Sequence, residues 1–361
     1  MTVVSMASAE ISRDPLENAL RAPIVAALLA AALTAQAPIS AAPLPPHAGG
    51  GFTVVALGVR GGIEDGNLSS YLIRPRDDDR YVACDAGTLV NGLNAADRRG
   101  AFADVHPPAA WPERRVGYIL TDKIKGYLIS HAHLDHVAGL LLASPEDSAK
   151  PIYVLPSVHE RIARSYFNGE AWANFADTGT EPRLGKYHFE DLQPGRAVAM
   201  ADTAMTVTGF PLAHGHVEST AFLIEAGLES ERDALLCFGD TGSDRIEHAT
   251  RLHEVWAAVA PRVREHRLMA IIIEVSFPNA QPVGQLFGHL TPAQLLEELH
   301  DLAAQAGGKD ALRGLPVVIG HIKYTLKTGP LPQAQIRREL DAGNDLGVRF
   351  IIPEQGDRWQ F

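Results

Sequence analysis

Dense basic clusters are missing from this 361-residue chain, which carries a formal net charge of −11 and a sequence pI near 5.7. Phosphate-backbone binding relies on clustered cations, so the composition argues against nucleic acid as a partner. It leaves room for a small anionic substrate, because a bound metal ion can supply positive charge locally. Cysteine is almost absent. Cys84 and Cys237 each lie in an apolar, strand-like run, which reads as two buried free thiols and says little about redox compartment. No segment has the room or the glycine fingerprint for a flavin domain, which argues against a flavin-coupled redox protein. There is no fixed-period repeat and no low-complexity tract beyond one linker. The uncharged run Ala22–Leu33 falls short of the roughly 20 residues of a stable membrane span.

That run does follow Arg13 and Arg21, and it precedes small residues at Ala35-Gln36-Ala37 and Ile39-Ser40-Ala41-Ala42. This is the pattern of a secretory leader, with a periplasmic or secreted protein as the expectation. Residues 38–51, rich in Ala, Pro and Gly, continue it as a linker. The expected organisation is therefore a leader and linker over 1–51 and one domain over 52–361. In that second part short apolar runs bounded by Gly, Pro or Asp alternate with helical patterns. Ten strands are expected, among them Ile124–Ile129, Met205–Phe210, Ala234–Phe238 and Val317–Ile319. Helices are expected near 158–167, 244–259, 292–305 and 333–341. Thr291-Pro292-Ala293-Gln294 is a capping box with proline at the first helical position, and Leu295, Leu299 and Leu302 follow at helical spacing. Residues 92–118 read as a long polar connection, a candidate lid. The alternation predicts an α/β fold with two sheets sandwiched between helices.

The chemistry concentrates in Ser130-His131-Ala132-His133-Leu134-Asp135-His136-Val137-Ala138-Gly139-Leu140. Three histidines and an aspartate follow an apolar run. Residues two apart in a strand face the same way, so His131 and His133 can address one ion. Asp135 and His136, on the turn into a helix, can reach a second. Imidazole and carboxylate ligands without thiolate suit zinc, manganese or ferrous iron, with zinc as the default. Three later strands end in the same residue types: at His214 (with His216 as an alternative), at Asp240 and at His321. Strand-end loops are where a rigid scaffold places functional groups.

The string His131-Ala132-His133-Leu134-Asp135-His136 matches the H-x-H-x-D-H signature of the metallo-β-lactamase superfamily. The longer segment Ser130 to Leu140 resembles the class II cyclic-nucleotide phosphodiesterases. So do His214-Gly215 with Ser219–Ile224, Gly239-Asp240-Thr241-Gly242, Glu274 to Asn279, Leu286 to Pro292, and His321-Ile322-Lys323. The resemblance runs from about residue 52 to about residue 352. It implies a four-layer αββα sandwich with two mixed sheets flanked by helices. It implies two divalent metal ions, one held by His131, His133 and His214 and the other by Asp135, His136 and His321, with Asp240 bridging. His214 is preferred to His216 because the family's ligand stands immediately before glycine. The implied reaction is hydrolysis of a 3′,5′-cyclic nucleotide, cyclic AMP or cyclic GMP, to the 5′-monophosphate by a metal-activated water. Asp135 would orient that water, and His289 would protonate the leaving oxygen. Lys323 is a candidate phosphate contact but reads rather as a solvated lysine, and Phe277 and Asn279 are candidate base contacts. The alternatives are another hydrolase of this superfamily, acting on a β-lactam, lactone, thioester, sulfate ester or tRNA 3′ end, a di-iron redox protein, and a catalytically silent binding module.

Overall fold

Alternation of side chains along the central strands decides the layering. In Asp233–Phe238, Leu235 and Cys237 face one way, while Ala234, Leu236 and Phe238 face the other, and all are buried. Leu268–Glu274 repeats the pattern, with Ala270 and Ile272 opposite Ile271 and Ile273. A strand apolar on both faces must lie inside a stack, covered on each side. The computed structural model, which describes residues 50–228 and 231–361, shows that stack. The expected leader lies outside the described residues.

The first sheet has eight strands in the order Arg358–Gln360, Phe52–Gly58, Ser70–Pro75, Tyr81–Cys84, Ile124–Leu128, Lys150–Val154, Arg183–Asp191 and Asn174–Ala176. The first four pair antiparallel, and from Tyr81–Cys84 onward the pairing is parallel. The second sheet has seven, in the order Arg349–Ile351, Pro316–Gly320, Leu268–Glu274, Asp233–Phe238, Val217–Ala226, Met205–His214 and Ala197–Ala199. It is parallel at one end and antiparallel at the other. The inner faces of both sheets share one core. The helices Val90–Arg98, Leu134–Ala143 and Pro156–Ser165 close the outer face of the first sheet. Arg251–Arg264, Pro292–Ala306 and Pro332–Gly343 close the second, around the fully buried Trp256. The architecture is the four-layer αββα sandwich. No helix among the described residues is long and apolar enough to cross a membrane.

Three expectations need correction. Cys84 and Cys237 are not free thiols; they form a disulfide across the two sheets, with Cα atoms 6.8 Å apart. Each cysteine points inward from its own sheet, and the stacking that brings them together leaves no trace in either local run. Residues 92–118 are no lid. Leu93, Phe102 and Tyr118 join the core, and Asp104 pairs with Arg74 and Arg358 at the sheet end remote from the histidines. The helix expected over 244–259 breaks at His248, whose backbone is left-handed, into Asp244–Glu247 and Arg251–Arg264. The capping box at Thr291 and Gln294 is present, and Gly307 ends that helix in a left-handed conformation.

The outer layer holds one acid in an unusual state. Glu298 is buried between helices; its carboxylate accepts from the Asp244 N–H (3.0 Å) and lies 3.4 Å from the Trp256 indole nitrogen. Burial pushes its carboxyl up to about 7; the hydrogen bonds from the Asp244 N–H and Trp256 oppose this, and the nearby carboxylates of Asp244 and Asp301 favour it. A raised carboxyl means that the fold favours the protonated form. Its contribution is complete below the ordinary value of 4.5 and is lost as pH rises through about 7. Glu298→Gln should therefore stabilise the protein at pH 8, by at most about 3 kcal/mol, and have little effect near pH 4.5. Thermal melts at the two pH values check this; equal shifts at both would refute it.

Candidate metal centre

Strand Ile124–Leu128 delivers Ser130 and His131 at its C-terminal end. His133, with extended backbone, caps helix Leu134–Ala143, and Asp135 and His136 occupy the first turn. A carboxylate there is favoured by the helix dipole. Gly139 lets this helix lie directly on the preceding loop, since a Cβ at that position would sit 2.7 Å from the Ala86 carbonyl oxygen. His214, Asp240 and His321 arrive at or just past the C-terminal ends of three strands of the second sheet. His321, like Asp85 on the first sheet, has left-handed backbone.

These seven residues converge in two groups that share one carboxylate. In the first, His131 Nε2 is 2.9 Å from His133 Nδ1, and His214 Nε2 is 3.3 Å from the same atom. Asp240 Oδ2 lies 3.7 Å from His131 Nε2 and 3.8 Å from His214 Nε2. In the second, Asp240 Oδ1 lies 3.2 Å from both His136 Nε2 and His321 Nε2, and Asp135 Oδ2 lies 3.3 Å from His321 Nε2. His214 is buried in the cluster, whereas His216 is exposed on the hairpin turn.

The donor set fits divalent cations. Asp240 Oδ1 is buried without a hydrogen bond. The far ring nitrogens are tied down: His214 Nδ1 donates to the Gly288 carbonyl (2.7 Å), His136 Nδ1 meets Asp85 Oδ2 (2.7 Å), and His321 Nδ1 meets Ser276 Oγ (3.0 Å). Rings anchored in this way leave their other nitrogens free as ligands. Burial lowers His131 and His133, the latter to about 4, so both are neutral at pH 7. Burial opposes ionisation of Asp240, but His136 and His321 outweigh it and hold the carboxyl well below the usual range.

His289 stands beside this cluster, its ring centroid 5.3 Å from that of His321. Its Nδ1 donates to Glu274 Oε1 at 2.7 Å. Burial lowers the imidazole, but Glu274 and Asp240 more than offset this and raise it overall. Glu274 accepts also from the Thr241 N–H and from Ser276 Oγ, so both oxygens are committed to protein donors. The contact with Glu274 fixes the orientation of the His289 ring. Lys323 is not simply solvated: its Nζ lies 3.8 Å from Asp135 Oδ2, which also accepts from the Gly62 N–H at 2.7 Å. Asn279 Oδ1 accepts from the Ala293 N–H at a helix start (2.8 Å). Phe277 packs edge-on against His289, with centroids 5.9 Å apart. Gly61 lies under His321, and a Cβ there would come within 2.4 Å of the ring.

Sequence reasoning missed Asp85, Ser276 and the role of Glu274. Asp85 accepts from the Ser130 N–H and Oγ while holding His136. The available signal was the acid ending the run Tyr81–Cys84, the pattern already seen at Asp240.

The family model of the class-II cAMP phosphodiesterases matches residues 52–356. The chain is 48% identical over 312 residues to a 3′,5′-cyclic-nucleotide phosphodiesterase of Aliivibrio fischeri, covering 86% of this chain and 93% of that one. Among solved structures it is similar to unliganded yeast PDE1, with TM-score 0.72 and 23% identity over 85% of this chain and 99% of the other. It also resembles the metallo-beta-lactamase fold protein YhfI from Bacillus subtilis, with TM-score 0.54 and 17% identity over 86% and 99% of the two chains.

Proposed function

Because the chain belongs to the class-II cAMP phosphodiesterases and is a 3′,5′-cyclic-nucleotide phosphodiesterase, we propose that its seven converging residues hold two divalent cations, zinc by default. His131, His133, His214 and Asp240 serve one; Asp135, His136, His321 and Asp240 serve the other. The observation that carries this reading is the division of Asp240, whose two oxygens address different histidine groups. Bound cations supply Lewis acidity, polarising a water and neutralising charge on the phosphoryl oxygens. The rest is done by the chain. Asp135, fixed by Gly62 and Lys323, orients the attacking water. The water gives up one proton to solvent as its oxygen bonds to phosphorus, the P–O3′ bond breaks, and the ring opens to a nucleoside 5′-monophosphate. His289, held by Glu274, delivers a proton to the departing 3′ oxygen. The Cys84–Cys237 disulfide supports an oxidising compartment, and we place the protein in the periplasm or outside the cell.

Metal-replete protein should convert cyclic AMP and cyclic GMP to 5′-monophosphates, stop on addition of chelator, and leave nitrocefin intact. His289→Ala should lower kcat by about 10²- to 10⁴-fold while both ions are retained. Product identity by chromatography and metal content by mass spectrometry decide. A 3′-monophosphate product, or loss of an ion from His289→Ala, would overturn the assignment of roles.

A further inference from the structure

Among the described residues, six other than glycine have left-handed backbone: Asp85, Asp202, His248, His266, Phe287 and His321. Five carry short polar or imidazole side chains, the types that tolerate this region; for a bulky residue such as phenylalanine it is a strained outlier. Phe287 adopts φ +54° and is nevertheless 73% exposed. Its ring gains little burial to offset the strain, so packing does not explain the residue.

Its position does. Leu286 is buried, and its carbonyl accepts from the His289 N–H at 3.2 Å, which closes the turn. Gly288, the next residue, accepts the His214 Nδ1 hydrogen at 2.7 Å. The turn is thus clamped to one residue of the metal centre and leads directly into the proposed proton donor. A strained turn fixed at both ends presents an aromatic ring to solvent, one residue from the carbonyl that holds His214 and two residues from His289. The other nearby aromatic, Phe277, is committed to packing on His289.

We propose that Phe287 is the stacking platform for the purine base of the cyclic nucleotide, and so sets substrate affinity; this rests on the phosphodiesterase reading above. A base offers a π-face of any identity, and stacking on an aromatic side chain is tolerant of which base it is. The platform therefore selects for the presence of a base and accepts adenine and guanine alike.

The test compares cyclic AMP with a 3′,5′-cyclic phosphate of 1-deoxyribose, which lacks the base, using metal-replete full-length protein. Phe287→Ala and Phe287→Asn should raise KM for cyclic AMP by roughly 5- to 100-fold, with kcat little changed. Neither should alter KM for the base-less substrate, and Phe287→Trp should keep the affinity for cyclic AMP. Asparagine tolerates left-handed backbone, so that variant should melt no lower than wild type, which separates lost stacking from lost folding. An unchanged KM for cyclic AMP, or an equal rise on both substrates, would overturn the proposal. Wild-type protein inert on both would overturn the phosphodiesterase reading and this inference with it.

Discussion

Asp240→Asn is expected to abolish cyclic AMP hydrolysis, by 10³-fold or more on the scale of losing a principal source of charge stabilisation. The substitution keeps the volume and removes the charge, so the core need not repack. In the native arrangement each carboxylate oxygen faces its own pair of histidines, 3.2 Å away on one side and 3.7–3.8 Å on the other. An amide offers one oxygen and one NH2 group, and the latter repels a cation. Metal content should fall with activity, and the thermal midpoint should lose its dependence on added zinc, because ligand binding stabilises only a fold that can bind. Near-normal kcat/KM in this variant would reject a shared bridging carboxylate.

The second large effect concerns stability. Replacing Cys84 and Cys237 together by alanine should cost about 2–4 kcal/mol, because the bridge closes a long loop in the unfolded chain. The two cysteines are 153 residues apart and join the two sheets through the core they share. The damage should extend to the centre. Cys84 directly precedes Asp85, which holds His136, and Cys237 lies three residues before Asp240. Denaturant unfolding in the presence and absence of reductant, with zinc titration of each form, measures both effects. An unfolding midpoint indifferent to reductant would refute the first, and an unchanged zinc affinity the second.

What could be read from the chain depended on whether a residue carries its own local signal. The run from His131 to His136 was legible because neighbouring residues carry the whole pattern, and the helix at Pro292 because its cap and its leucines are local. His214, Asp240 and His321 were legible because each ends an apolar strand. Asp85 ends an apolar strand as well, but it holds a ligand histidine in place of an ion, and Ser276 carries no ligand-type side chain, so neither stood out. The disulfide was invisible because neither local run shows which strand of the other sheet it faces. Strand Arg183–Asp191 escaped because only Tyr187 and Phe189 of its nine residues are buried, amid Arg, Lys, His, Glu and Asp. The break at His248 depends on a single left-handed residue inside an otherwise continuous helical pattern.

Gly61 carries a practical consequence for engineering. Its φ is not left-handed, so another residue could adopt its backbone shape; what forbids one is the imidazole of His321 lying against the place where a methyl group would project. Libraries that randomise this loop should return glycine at 61 almost without exception while position 63, whose isoleucine faces water, drifts freely. Attempts to widen substrate scope are better spent on the outer rim than on this stretch, where there is less spare room than a single carbon atom occupies.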